Sequence, residues 1–366
     1  MTNKLQTPFY DPSKTYEENY EEGPFGGFAE SNSAAADEKI FEQSGEPQYE
    51  YLGQKVHLPF GIPAGPLLNS KYVKAAFEKE FDICVYKTVR SDFYTVHPYP
   101  NILSVHVDGD LTLEKLQKPL LSDTNFVPPI AITNSFNIPS RKPEIWQTDM
   151  KKAIESAGKG QVMVGSFVGT VRPDQTQAEF VEDWAIVAKQ VLETGAKILE
   201  ADISCPNNGA EGLVCYDLEM TEKICKAVRN VIGNTPFVLK IGFYEDESQL
   251  KKLAEIASNY AQSISAINTL AGIIVDKDGN QALPGKNRVK GGVCGAPIKW
   301  AGVDMVKKLK QIREKKNYKF SIDGVGGVTS PEDYNEYVQA GADSVFSATG
   351  AMWNPYLAQE IKAKHE

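Results

Sequence analysis

A cysteine placed where an apolar run breaks is the first chemical signal in this chain. Residues 199–217 read LEADISCPNNGAEGLVCYD. The run carries Asp202, then stops at Ser204-Cys205-Pro206-Asn207 ahead of a glycine-containing loop. A thiol at such a junction has the chemistry of a nucleophile or a base. The competing reading of a lone cysteine is a small buried apolar residue, and it is kept for Cys84, Cys215, Cys225 and Cys294. Two lysines also interrupt apolar runs, Lys87 in VYKTVR and Lys240 in VLKIGF. A buried ammonium is costly unless an anion or a polar ligand stands beside it, so both are read as site residues. Asn268 and Thr269 end the run ISAINT, and Asn134, Ser135 and Asn137 lie in ITNSFNIPS. An amide both donates and accepts, which suits a flat ligand displaying alternating C=O and N–H groups.

Glycines mark a second kind of chemistry. Gly324, Gly326 and Gly327 close the run in SIDGVGGVTS, and Ala348, Thr349 and Gly350 close the run in GADSVFSATGAMW. Each stretch then opens a helix-like segment. Glycine turns let backbone N–H groups approach an anion. Two such turns, after the last two strands of an alternating fold, make a phosphate cradle. Taken singly, each is also an ordinary tight turn.

These residues need elements to hold them. Short apolar runs occupy 58–64, 82–89, 162–169, 197–204, 236–242, 264–269, 319–324 and 343–349. Between them, helical periodicity covers 71–80, 142–157, 176–194, 217–232, 246–261, 298–314, 330–340 and 355–364. Continuous apolar strands separated by helices predict a parallel sheet covered on its outside. Eight of each predict an α/β fold, a (β/α)₈ TIM barrel over 51–366, with long loops after strands 2 and 6. A doubly wound open sheet is the runner-up, but IPAGPLLNS is not a Gly-x-Gly-x-x-Gly turn. The long stretches 90–141 and 270–297 are expected to form a lid or substrate wall.

Residues 1–50 differ from the rest. They hold 11 acidic and 3 basic side chains, so −8 of the net −9 sits there. They also hold eight aromatics, which disordered tails usually lack. The expectation is an acidic, aromatic-containing arm that docks, in extended form, on the body or on a partner chain. No basic face is implied, so no nucleic-acid partner is expected. No run of about 18 apolar residues occurs, so no membrane span is expected, and the polar N-terminus suggests a cytoplasmic protein. Five cysteines without a Cys-x-x-Cys pair and four scattered histidines argue against a disulfide scaffold or a metal site.

One set of motifs is colinear along most of the chain. It comprises KT at 87–88, TNS at 133–135, SCPN at 204–207, LK at 239–240, NT at 268–269, GG at 291–292, GVGGV at 324–328 and Thr349. Over about residues 50–360 the chain resembles the dihydroorotate dehydrogenase family, an FMN-containing barrel family that oxidises dihydroorotate to orotate in pyrimidine biosynthesis. Cys205 resembles the base of the soluble first class, where the membrane-associated class has serine. The resemblance implies that Cys205 removes the C5 proton while the C6 hydride passes to FMN N5. Lys240 would stabilise charge on the flavin, and Lys87 would touch flavin and substrate. Asn134, Asn137, Asp202, Asn207, Asn268 and Thr269 would hold the pyrimidine. Ala64, Gly65, Thr88, Asn134, Asp202, Asn268, Gly292, Gly326, Gly327, Ala348 and Thr349 would join both lysines around FMN. A soluble electron acceptor, a homodimer and a possible electron-transfer partner subunit are the implied partners.

The chain departs from the family pattern at Asp202, where Asn-x-Ser-Cys is usual. The loop INTLAGIIVDKDGNQALPG and the segment GLVCYD are also similar to the pyrimidine-binding barrel of dihydropyrimidine dehydrogenase. A dihydrouracil-type dehydrogenase, or a flavin-binding barrel without redox turnover, is therefore carried as an alternative. A lyase forming a Schiff base on Lys240 or Lys87 is a further one, which leaves the SCPN run unexplained.

Overall fold

The computed structural model describes residues 5–29, 41, 43–204, 213–286 and 288–365. Eight parallel strands close into a barrel in sequence order. They are β1 (Phe60–Ile62), β2 (Ile83–Val89), β3 (Val162–Phe167), β4 (Ile198–Asp202), β5 (Phe237–Ile241), β6 (Ser263–Ala266), β7 (Ser321–Val325) and β8 (Ser344–Phe346). Each lies within or beside a run expected from the sequence. Almost every strand residue is buried because helices cover the outer face and side chains fill the inside. The helices are α1 (Ser70–Glu78), α2 (Pro143–Glu155), α3 (Gln177–Leu192), α4 (Leu218–Ile232), α5 (Glu247–Tyr260), α6 (Lys299–Lys316), α7 (Pro331–Ala340) and α8 (Leu357–Ala363).

Local chemistry sets the helix ends. Thr176 caps α3 in a reciprocal box with Glu179, which satisfies two otherwise unpaired donors. Ser330 caps α7 ahead of Pro331, and Gly341 ends that helix with φ of 110°, a conformation glycine adopts without strain.

The barrel interior divides by height. Ile83, Val85, Val162, Val164, Ile198, Val238, Val325 and Phe346 form an apolar cluster with Tyr51 and Val56 from the hairpin that precedes β1. The same interior holds polar groups. Tyr51 donates to Asp323 across 3.1 Å, and Ser263 and Ser344 donate to the other Asp323 oxygen at 2.8 and 2.7 Å.

Two findings revise the sequence expectation. The stretches 90–141 and 270–297 are not simply loops. They supply Ser104–Val105, Leu120–Asp123, Ala131–Asn134, Leu270–Val275 and Lys290–Gly295, which pair into a second closed sheet of five strands. The N-terminal arm is also not extended throughout. Tyr16–Glu22 is a helix with a Thr15–Glu18 capping box. It lies on the barrel: Phe9 N–H donates to Met352 O at 3.0 Å and the Tyr72 hydroxyl to Asn19 O at 2.8 Å. Phe9 stacks on Phe28 with ring centroids 4.4 Å apart.

Candidate functional site

The strands β1, β2, β4, β5, β6, β7 and β8, the second sheet and the N-terminal helix converge on one cavity of about 1120 Å³, its open mouth included. After β1, Pro63, Ala64, Gly65 and Pro66 form one wall. Gly65 has φ of 131°, and nothing lies within 4 Å of the place a β-carbon would take. A ligand can therefore meet bare backbone there.

Lys240 is the buried cation of the floor, 4% exposed. Its Nζ donates to Ala64 O at 3.1 Å. In the β4–β5 register it stands opposite Asp202. Asp202 accepts from Ser204 Oγ at 2.8 Å and from Ser204 N at 3.3 Å. Asn268 Nδ2 in turn donates to Ser204 Oγ at 3.0 Å. The Ser204 hydroxyl thus receives from the amide and gives to the carboxylate. This fixed chain leaves the remaining faces of Asn268 and Asp202 to the cavity they both line.

Lys87 and Thr88 line the cavity from β2. Lys87 is buried, and Thr88 Oγ1 lies 3.0 Å from Ser166 Oγ. Asn134, Asn137 and Thr269 line the opposite side. Asn137 takes φ of 75°, and its Nδ2 donates to Thr95 O at 3.1 Å. The fully buried Arg90 holds that turn by donating to Ile138 O at 3.0 Å. Ala348 and Thr349 complete the ring at the end of β8.

Not every expected residue faces the cavity. Gly292 pairs with Asn134 and Ala271 in the second sheet but does not line the cavity. A β-carbon on it would overlap Thr269 Oγ1, so glycine there lets Thr269 lie flat. Gly326 and Gly327 do not line it either, although Val325 does. Their φ values are 124° and 70°. A β-carbon on Gly327 would stand 2.8 Å from Lys299 N. Packing on α6 is thus enough to require that glycine. Cys205 and Asn207 lie outside the described residues.

The sequence reading missed several wall residues. Tyr10 and Tyr16 reach the cavity from the arm, and Phe136 meets them edge-on at 5.6 and 6.0 Å. Cys294, read as an ordinary buried thiol, also lines the wall. Burial pushes its thiol up to about 11. A polar residue at a strand end is visible in sequence. An aromatic arriving from a distant arm is not.

Buried carboxyls give the site its electrostatics. Burial lifts Glu200 to about 7, with Lys240 opposing and Asp202 adding to the shift. Burial also lifts Asp323 to about 6, against hydrogen bonds from Ser344, Ser263 and Tyr51. Groups raised in this way bind protons more tightly folded than unfolded, so their stabilising share is complete at low pH and is lost as pH climbs through the folded value. The thermal midpoint is expected to fall as pH rises from about 5 to 7.5. Asp323→Asn should flatten that decline, and a wild-type midpoint flat across this window would contradict the assignment.

Comparison with known proteins places this geometry. The family model for dihydroorotate dehydrogenase matches residues 149–365. The dihydroorotate dehydrogenase of Dictyostelium discoideum is 34% identical over 367 residues, covering 97% of each protein. The catalytic subunit of dihydroorotate dehydrogenase B (NAD(+)) of Bacillus pumilus is 33% identical over 185 residues, 50% of this chain and 56% of that one. Dihydroorotate dehydrogenase A (fumarate) of Lactobacillus helveticus is 29% identical over 187 residues, with the same shares. Among solved structures, Eimeria tenella DHODH in complex with ferulenol superposes with a TM-score of 0.65. At 16% identity over 85% of this chain and 81% of that one, it is a likeness of fold.

Proposed function

Because the chain belongs to the dihydroorotate dehydrogenase family, we propose that it oxidises dihydroorotate to orotate with FMN, with Cys205 as the base. The observation that carries this reading is a buried ammonium, Lys240, on the floor of a cavity walled by Asn134, Asn268 and Thr269. The donor set suits a flavin. It offers two buried cations, Lys87 and Lys240, several amides, and backbone left bare at Gly65. Ala64, Gly65, Lys87, Thr88, Lys240, Ala348 and Thr349 would hold the cofactor, and bound FMN would supply the two-electron acceptor.

The chain's own residues do the rest. Asn134, Asn137, Asn268 and Thr269 orient the flat ring by donating to and accepting from its carbonyl and N–H edges. Lys87 and Lys240 set positive charge where negative charge gathers. Cys205 takes the proton from C5 of the dihydropyrimidine. We place the electron acceptor among soluble oxidants and the protein in the cytoplasm. Among the described residues no helix is long and apolar enough to cross a membrane. We further propose that residues 1–50 are an arm serving the barrel of 51–366, and that the chain works as a homodimer.

An anaerobic absorption titration tests the reading. Purified protein should be yellow and bleach with dihydroorotate. A colourless chain that refuses added FMN would end it.

Asp202 favours a second reading, the dihydrouracil-type substrate. An ionised carboxylate accepts but cannot donate, and it repels the carboxylate of orotate. Lys240 opposite and Ser204 beside it offset that charge. On the dihydroorotate reading, Asp202→Asn restores a donor and should raise kcat/KM for dihydroorotate relative to dihydrouracil by about tenfold. Wild-type bleaching by dihydrouracil alone would transfer the assignment to that substrate.

A further inference from the structure

Glu200 is 3% exposed and points into the barrel on the same strand face as Asp202. A carboxyl buried at that depth is expensive and usually has a task. It is joined to the cavity by two hydroxyls. Ser166 stands opposite Glu200 in the β3–β4 register and donates to its Oε1 at 2.9 Å. Thr88 is a residue of the cavity wall, and its Oγ1 is 3.0 Å from Ser166 Oγ. Since the Ser166 proton lies on Glu200, the Thr88 hydroxyl donates to Ser166. The wire therefore runs from the wall inward, one hydrogen bond after another.

We propose that Glu200 stores the proton that balances the negative charge the cavity gains when its cofactor is reduced. The inference rests on the flavin reading above. Hydride transfer from the substrate would add two electrons and one proton to the bound cofactor while Cys205 takes the C5 proton. The cavity gains its net negative charge, near Lys240, once Cys205 has returned that proton to solvent. A solvent proton reaching Thr88 Oγ1 then displaces the hydroxyl proton of Thr88 to Ser166, and that of Ser166 to Glu200 Oε1. One proton enters, one carboxylate becomes neutral, and no bond other than O–H bonds changes. Oxidation of the cofactor by the acceptor sends the proton back. Lys240 then faces either an ionised Glu200 or the reduced ring, not both.

The charged groups around Glu200 fit this role. Lys240 from β5 favours the ionised form, whereas Asp202 on its own strand and Asp323 from β7 favour the neutral one. Tyr51, from the hairpin beneath the barrel, also feels its charge. Burial and these opposing neighbours hold the carboxyl at about 7, where a nearby change of one charge switches its protonation. Glu200 is thus a positioning residue that acts through Lys240.

The test is the midpoint potential of the bound flavin, followed by spectroelectrochemistry from about pH 6 to 8. Toward about pH 8, where Glu200 is mostly ionised before reduction, wild type should take up close to one proton more per reduction than Glu200→Gln, which matches the shape of the side chain and cannot titrate. The difference should shrink toward about pH 6. Ser166→Ala should keep the wild-type proton count but delay uptake, because it cuts the wire and leaves the store. Equal proton counts in wild type and Glu200→Gln, with flavin bound in both, would overturn the inference and leave the function standing. A chain that holds no flavin would remove both. If Glu200→Gln does not fold, the infrared difference spectrum of wild type decides. A protonated-carboxyl band should appear on reduction and shift in heavy water, and its absence would refute the proposal.

Discussion

Cys205→Ala is expected to keep its flavin and lose about a hundred- to ten-thousand-fold in the rate of anaerobic bleaching by dihydroorotate, the usual weight of a general base. The two properties separate because the groups proposed to hold the cofactor lie on other strands. The segment before Cys205 is well tied down. Ser204 gives two hydrogen bonds to Asp202 and takes one from Asn268. On the far side, Cys215 N–H donates to Ile203 O at 2.9 Å, and the Tyr216 hydroxyl donates to Phe243 O at 2.6 Å. Both flanks of the 205–212 segment are therefore fixed near the cavity. Cys205→Ser should be slow at neutral pH and recover at alkaline pH, since a hydroxyl is a much weaker base than a thiolate. Stopped-flow spectra measure both, and a full rate in Cys205→Ala would strip the residue of this role.

Lys240→Met should be nearly as damaging, by a different route. Methionine keeps much of the length and apolar bulk but removes the charge. Loss of a preorganised electrostatic partner costs about a hundred- to thousandfold. It also leaves Glu200 without the cation that favours its ionised form. That carboxyl should then bind its proton more readily, so the residual rate should respond to pH differently from wild type. The variant should also purify with less flavin. Wild-type flavin content together with a wild-type rate would show that Lys240 is only a buried structural cation.

The eight strands could be read from sequence because each is a compact apolar run with both faces buried, as in Ile83–Val89 and Val162–Phe167. The helix starts at Thr176 and Ser330 could be read from capping chemistry. The second sheet could not. Ser104–Val105 spans only two residues, and Lys290–Gly295 contains three glycines, so neither is marked as a strand by length or propensity. In the site, Lys87 and Lys240 stood out as charges inside apolar runs. Glu200 sits in a similar run, but its meaning depends on Ser166, a contact made across strands that the sequence does not display. Gly326 and Gly327 suggested a phosphate turn, yet the contact of Gly327 with Lys299 explains its glycine without one.

The docking of the arm has a consequence for biogenesis. Phe9 bonds to Met352, and Tyr10 and Tyr16 wall the cavity. Synthesis makes Phe9 well ahead of Met352, so this bond closes only after most of the barrel has been made. Until then the acid-flanked arm is held less firmly. A nick by a protease in that interval would release a barrel that keeps its strands and lacks one side of its ligand chamber.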